Sequence, residues 1–389
     1  MHAFWVKESP LTLAWTVALC LASQGPTPAR AQEVVPGDGV AANARMADSP
    51  PRPALDPGIL HEIEEPSEPV PPIPVTPEYP APYAPARVVS GPLGVIRDSI
   101  FGPASTEGWH PLSLLTFFSE GWDEAYAKSP EGTNGAPKQN WLGVADGVFA
   151  RLNSVNFFYT NSMTTNPGLL LTSLPWAPAK PKTNGSAYFA SYNIYIPINQ
   201  RLELLIVAPF VSANSTSPTG HFVTNFGDLT ISERFRLIEQ RNFSMQALLT
   251  ERTATGQTVN GNNISFITPG VEFWWNFAPK WVVRGGTGIN LDTGRTTATS
   301  VYFTNLAMGR YLTDKNARFF KEFVAHVSVS TESDVLGRKD YISDVYIGPG
   351  FRFGLDRDQK WYVIGAMQIP VSGPHPYGWQ PDFALIRNY

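Results

Sequence analysis

From residue 151 to the C-terminus, apolar and polar positions alternate with a period of two, in runs much longer than an ordinary strand. Twelve runs stand out: 151–161, 187–198, 202–213, 226–238, 243–255, 265–278, 281–291, 300–312, 319–331, 341–355, 361–371 and 380–389. Successive side chains of a strand point to opposite faces, so each run predicts a strand with one apolar and one polar face. In 341–355 one face is Val345, Ile347, Pro349, Phe351, Phe353 and Leu355, and the other is Asp344, Tyr346, Gly348, Gly350, Arg352 and Gly354. In 265–278, Ile267, Val271, Phe273, Trp275 and Phe277 oppose Thr268, Gly270, Glu272 and Asn276. In 281–291, Trp281, Val283 and Ile289 oppose Arg284, Gly286, Gly288 and Asn290, and in 319–331 Phe323, Ala325, Val327 and Val329 oppose Glu322, His326, Ser328 and Ser330. The run 300–312 barely alternates, and its inward face is unassigned.

The links between runs are short and polar at 199–201, 239–242, 279–280 and 356–360, and long and rich in Thr, Asn, Gly and Ser at 213–225, 256–264, 292–299 and 332–340. Short turns alternating with long loops are the habit of an outer-membrane barrel. Strands of about 9–11 residues span a bilayer when tilted, whereas sandwich strands average about 5–6. The polar faces hold many glycines and few lysines, unlike a solvated sheet. Aromatic residues gather near strand ends, as interfacial girdles require: Tyr188, Phe243, Trp275, Phe277, Trp281, Phe319, Trp361, Tyr362 and Tyr389. The expected fold is therefore all-β: an antiparallel transmembrane β-barrel of about twelve strands over 151–389, its greasy face toward lipid. Glu233, Glu251 and Lys321 fall on that face; they are expected near a rim, or beside a bulge that shifts the register.

The first 150 residues divide in three. Lys7, the apolar run 11–22 and the small residues Ala29 and Ala31 before Gln32 read as a cleaved signal peptide over 1–31, the apolar run being too short for a membrane helix. Residues 32–90 read as a disordered, acidic, Pro-rich arm: between Gln32 and Arg87 there are 14 prolines, no Trp and no Phe, so too little apolar area can be buried to offset chain entropy. It should favour extended polyproline II and serve as a spacer or as a docking sequence for an envelope partner. Residues 91–150, with Trp109, the run Leu114 to Phe118, Trp122 and Trp141, are too apolar for a linker and too short for a domain. They are expected to pack at a rim or inside the lumen as a plug, with a short helix over 111–127 that places Leu114, Leu115, Phe118 and Trp122 together.

Composition narrows the function. Charged residues are only 16% of the chain and nearly balanced, 29 Lys+Arg against 33 Asp+Glu, which leaves no basic patch for nucleic acid. The single cysteine, Cys20, lies in the expected leader, so no disulfide framework, Cys-based zinc site or thiol nucleophile is expected. No GxSxG, HExxH or phosphate-binding glycine loop occurs, and no cofactor and no enzyme activity are expected. An acyl hydrolase would need an outward Ser–His pair that the few histidines do not offer. The chemistry that remains sits on the inward faces: Asp228, Arg234, Arg236, Arg252, Glu272, Arg284, Glu322, His326, Asp344 and Arg352 are the candidate pore-lining residues. Mixed signs on opposing walls could form a constriction, as charged rings do in selective pores, or ion pairs that hold a filled barrel together. Arg284 and Arg352 are the leading candidates for a constriction. Twelve tilted strands leave a lumen of about 10 Å, wide enough for a monoaromatic molecule.

Residues 226–256, FGDLTISERFRLIEQRNFSMQALLTERTATG, and 268–294, TPGVEFWWNFAPKWVVRGGTGINLDTG, complete the picture. With the strand pattern over about 187–389, they resemble the outer-membrane barrel family labelled "MetA-pathway of phenol degradation". The resemblance implies an outer-membrane channel associated with hydrophobic or aromatic compounds, and brings no catalytic residues. The terminal run Phe383 to Tyr389, with its final aromatic, resembles the C-terminal signal of such barrels and implies contact with the barrel-assembly machinery, though Arg387 departs from the pattern. The expected partners are the outer-membrane bilayer, small-molecule solutes and that machinery. The expected function is passive passage of small solutes; the alternative is a non-conducting structural or binding barrel.

Overall fold

The structure is a computed structural model that describes residues 91–163, 185–214, 221–256, 265–293, 300–336, 343–356, 360–373, 375 and 377–389. The expected signal peptide and arm, and the middles of the long links, lie outside the described residues. Among the described residues, one helix, α1 (Pro92–Phe101), precedes thirteen strands: β1 (Leu152–Met163), β2 (Gly185–Pro197), β3 (Leu202–Ala213), β4 (Val223–Phe226), β5 (Thr230–Glu239), β6 (Phe243–Arg252), β7 (Phe266–Ala278), β8 (Trp281–Asp292), β9 (Ser300–Tyr311), β10 (Lys321–Leu336), β11 (Ser343–Gly354), β12 (Trp361–Ser372) and β13 (Gln380–Asn388).

All neighbours are antiparallel, and β13 pairs with β1, so the sheet closes on itself. β4 and β5 both pair with β3, β4 along its far end and β5 along its near end, and together act as one strand; the result is a twelve-strand barrel. The expected single run 226–238 is interrupted at 227–229, where Asp228 turns inward and is fully buried. A closed barrel leaves no strand edge unpaired, which removes the need for any covering layer.

The period-two faces come out as the residue types demand. Outside lie Leu306, Met308, Val327, Val329, Ile347 and Leu385, all exposed. Aromatic rings stand outward at both ends of this apolar belt: Trp275, Phe277, Phe319 and Trp361 toward the short turns, Tyr188, Phe210, Phe226 and Tyr302 toward the long links. In β9 the inward positions are Val301, Phe303, Asn305, Ala307, Gly309 and Tyr311, which settles the face that the pattern left open. Lys321 begins β10 and Glu251 stands one residue from the end of β6, both near a rim. Glu233 does not: it lies within β5, exposed, opposite Leu204 and Leu249. The β5 bulge falls between Arg236 and Ile238, beyond it, and so does not turn it inward.

Residues 103–150 run without regular secondary structure against the inward faces of the barrel. Ala136, Trp141 and Val148 form one buried cluster with Trp274, Val282, Ala307, Tyr311 and Val324 from four strands. A second cluster, Leu152, Tyr362, Ile364, Ala384 and Ile386, receives Leu142 and Ala150. The helix expected over 111–127 is absent: Leu112 instead pairs its backbone with Glu239, and Gly121 takes a left-handed conformation at φ 82°. Phe117 is buried, while Leu115 is 96% exposed, the reverse of the expected face. The helix that does form, α1, has Pro92 in its first turn and Gly102 just past its end, the usual punctuation.

The inner wall is shaped to admit this segment. A Cβ on Gly350 would lie 2.3 Å from His326 Nε2 and 2.9 Å from the Gly365 carbonyl, and the His326 ring cannot retreat because it stacks on Trp141 at 4.9 Å. Gly350→Val should therefore lower the stability of the folded barrel by about 1–3 kcal/mol through overpacking, read as a lower denaturant midpoint by tryptophan fluorescence. A midpoint equal to wild type would show that the His326–Trp141 stack is not fixed.

Candidate functional site

A segment without helix or strand carries backbone carbonyls and amides that must find partners wherever it is buried. Within 103–150 those partners come from charged side chains of the barrel wall. The guanidinium, with five donors in a planar fork, suits carbonyl clusters best.

At the short-turn end, Arg201 in the β2–β3 turn donates through Nε to the Glu120 carbonyl at 2.9 Å, and through Nη2 to the Ser113 carbonyl at 3.1 Å and Thr116 Oγ1 at 3.2 Å. Its Nη1 donates to the carbonyls of Arg236 and Leu237, both at 3.0 Å, so one fully buried side chain ties segment to wall. Gln200 donates through Nε2 to the Ala125 carbonyl at 3.0 Å. Lys138 Nζ donates to Glu239, which also receives Trp109 Nε1 at 3.4 Å. Burial pulls the Lys138 ammonium below its ordinary pKa, against the opposing effect of Glu239.

Deeper in the lumen, Arg284 donates to the carbonyls of Ala145 at 2.8 Å, Gln139 at 2.6 Å and Asp146, and lies over the Trp141 ring. Arg352 donates through Nε to the Asn140 carbonyl at 3.1 Å while stacking on Tyr362. Arg234 is the hub: it pairs with Glu203, Glu272 at 3.2 Å and Asp146 at 3.4 Å, and reaches the Val148 carbonyl at 3.3 Å. Both acids on the wall turn their remaining capacity to the segment's amides: Glu203 accepts from Ala150 N at 2.6 Å and Glu272 from Gly147 N at 3.2 Å. Burial raises the Asp146 carboxyl above its ordinary pKa, opposed by Arg234 and Arg284. Gly147 has φ 63°, and a Cβ there would lie 2.3 Å from the Phe273 carbonyl, so this turn of the segment touches the β7 backbone itself.

Above the segment, toward the long links, the lumen holds a cavity of about 380 Å³. Trp141 to Asp146 form one of its sides, and Ser232, Thr250, Thr268, Glu332, Gln368 and Asp382 contribute to its walls. Tyr377, from the β12–β13 connection, stacks on Tyr346 with ring centroids 5.7 Å apart and belongs to one buried cluster with Phe189 and Val211 of β2 and β3. Arg252 pairs with Asp228 at 2.8 Å, and Asp228 also accepts from Gly256 N.

All ten candidate residues are inward or buried. The structure brings together Arg234 with Glu272, Arg252 with Asp228, and Arg284, Arg352, His326 and Glu322 with the segment 139–146; Arg236 lies over the Phe149 ring. Asp344 lies opposite Glu332 in the β10–β11 ladder. Arg201, Glu203, Glu239, Glu332 and Asp382 were not among the candidates. For Glu203 and Asp382 the signal was their parity with inward neighbours in their own strands; Arg201 sits in a turn, where periodicity says nothing.

No family model matches the chain, and no curated protein matches it. Among solved structures it is similar to an outer membrane channel from Pseudomonas putida F1, at 10% identity over 64% of this chain and 99% of that one, with a TM-score of 0.45. It is similar also to the NanC porin, at 6% identity over 61% of this chain and 99% of that one, TM-score 0.38. A third is the translocator domain of the autotransporter NalP from Neisseria meningitidis, at 11% identity over 63% of this chain and 90% of that one, TM-score 0.37.

Removing the hub isolates buried charge. Arg234→Met leaves Glu203 buried without its cation, and breaking one side of a buried pair costs about 3–5 kcal/mol. The variant should show a lower unfolding midpoint and protease cleavage within 103–150 under conditions where the barrel strands resist. Cleavage no faster than in wild type would mean that the apolar clusters alone hold the segment.

Proposed function

We propose that the protein is an outer-membrane channel for small solutes whose lumen residues 103–150 close from the short-turn side. One observation carries the reading: the barrel is apolar outside and polar or charged inside, the inverse of a soluble barrel, with aromatic bands at both ends of the apolar belt. The short turns then face the periplasm and the long links the exterior. Residues 1–31 direct export, 32–90 form a periplasmic arm, and β13, with Phe383 and Leu385 outward, presents the barrel to its assembly machinery.

Passage requires the closing segment to shift. It joins the wall covalently only at Arg151, and many of its ties are hydrogen bonds that water can replace. With the segment withdrawn, Arg234, Arg284, Glu272, His326 and Arg352 would line the path, so the same side chains serve as latch and as pore wall. The solute class we propose, hydrophobic or aromatic compounds, rests on the sequence resemblance of 226–256 and 268–294 alone, since no family model matches the chain. A second reading is favoured by how completely the segment fills the short-turn end: a non-conducting barrel that binds a ligand without passing it.

Planar-bilayer recording separates the two. The refolded mature chain should conduct rarely, and Arg284→Met with Arg352→Met should open more often because the carbonyls of 139–146 lose their donors. Silence from both proteins, each verified as folded by heat-modifiable migration, would favour the binding barrel. Recovery of the native protein in the soluble periplasmic fraction would remove the membrane reading altogether.

A further inference from the structure

We propose that the outer surface of the barrel at its short-turn end binds anionic phospholipid head groups, each phosphodiester held by an arginine that lies over a tryptophan ring. The arrangement occurs twice. Trp281, the first residue of β8, stands directly opposite Arg310, the penultimate residue of β9. Trp361, the first residue of β12, stands directly opposite Arg387, the penultimate residue of β13. In both pairs the guanidinium carbon lies 5.6 Å from the ring centroid. The inference rests on the membrane reading of the barrel and does not depend on conduction.

Side-chain parity puts all four residues outside. Their chain neighbours Val282, Tyr311, Tyr362 and Ile386 are buried within the barrel, so Trp281, Arg310, Trp361 and Arg387 point away from it. One outward position further along β9 and β13, about 7 Å away, lie Met308 and Leu385, both exposed on the apolar belt. Both pairs therefore sit where the belt gives way to head groups. That is the level at which tryptophan rings anchor and arginine stems snorkel. Arg387, which departs from the expected terminal-strand pattern, becomes a lipid contact at that level.

What each guanidinium lacks selects the ligand. Inside the barrel, Arg201, Arg234, Arg252, Arg284 and Arg352 all donate to carbonyl or carboxylate oxygens. Arg310 and Arg387 are exposed, and their guanidiniums have no hydrogen bond or ion pair among the described residues. The carboxylates of the neighbouring turns are engaged elsewhere. Asp314 pairs with Lys280 at 2.7 Å, and Asp356 accepts from the backbone N–H groups of Lys360 and Trp361, both at 2.9 Å. The outward acids Glu233 and Glu251 stand on β5 and β6, not on these four strands. A ring beneath the fork leaves its N–H edge open, and that edge matches two oxygens of a phosphodiester. At a membrane surface that acceptor belongs to a lipid. A lipid of net negative charge gains over a zwitterionic one, whose ammonium group competes for the phosphate.

The test is tryptophan quenching of the refolded full-length mature chain in bilayers of phosphatidylcholine mixed with phosphatidylglycerol, one lipid brominated at a time. Bromine quenches the rings it touches, and the component lost in Trp281→Phe with Trp361→Phe isolates the signal of those two. Phosphatidylglycerol should be favoured there roughly fivefold over phosphatidylcholine, and the preference should fall as NaCl rises. Arg310→Gln with Arg387→Gln should bring the ratio close to one. Arg241→Gln, at an exposed arginine of the β5–β6 turn, should leave it unchanged. Inorganic phosphate at matched ionic strength should not displace the lipid. A wild-type ratio of one, an unchanged ratio in the double variant, or an equal loss in the Arg241 variant would overturn the proposal. So would displacement by inorganic phosphate, which marks a site for a free anion. If the double variant does not assemble, the wild-type ratio and the phosphate titration decide alone. A chain that fails to enter bilayers loses the membrane reading, whereas one that enters them without a lipid preference loses this inference alone.

Discussion

Everything inside this barrel follows from the need to pair buried backbone groups. Strands satisfy each other around a closed sheet, but residues 103–150 enter the lumen with no ladder and almost no helix of their own. Their carbonyls would be orphaned in a dry interior, at a cost of about 1–3 kcal/mol each. The wall meets the need with guanidinium forks: Arg201 takes two carbonyls from the segment, Arg284 three and Arg352 one. Acids then serve twice, as counter-ions to Arg234 and as acceptors for segment amides, which is how Glu203 and Glu272 are used.

The same need explains which parts of the chain were legible. Strands such as β10 and β11 follow the period-two pattern closely because their two faces meet different media. β9 departs from the pattern in a way that clarifies it. Its inward residues Ala307 and Tyr311 pack on the segment inside the lumen, so both of its faces are apolar and the alternation fades. The break at 227–229 was hidden for a different reason: Asp228 looks like an ordinary inward residue of a continuous strand, and only its place in the folded chain, bound to Arg252 and Gly256 N, shows the chain turning aside. For residues 111–127, apolar spacing suggested a helix. Tertiary pairing won, since Leu112 joins the end of β5 and Arg201 claims the carbonyls of Ser113 and Glu120.

The inward charges show the limit of reading sequence alone. An arginine on the polar face of a strand has the same signature whether it meets water, a carboxylate or a carbonyl. Arg284 and Arg352 were recognisable as inward; that their partners are the carbonyls of residues 139–146 depends on how a non-periodic segment threads the lumen. Glu239 was harder still, lying at the end of β5 where turn and strand patterns overlap.

The distribution of charge along the lumen is then informative about where the segment stops. Basic side chains crowd the levels that the segment reaches, because carbonyls are there to receive them. Beyond its last turn the carbonyls cease, and so do the unpaired arginines: Arg252 is already committed to Asp228. What remains on the wall at that level are Glu332 and Asp382, acids of the kind that lower down are always matched. The chain thus spends its guanidiniums at the levels where segment carbonyls need donors, and beyond the segment it leaves Glu332 and Asp382 buried without a cation among the described residues.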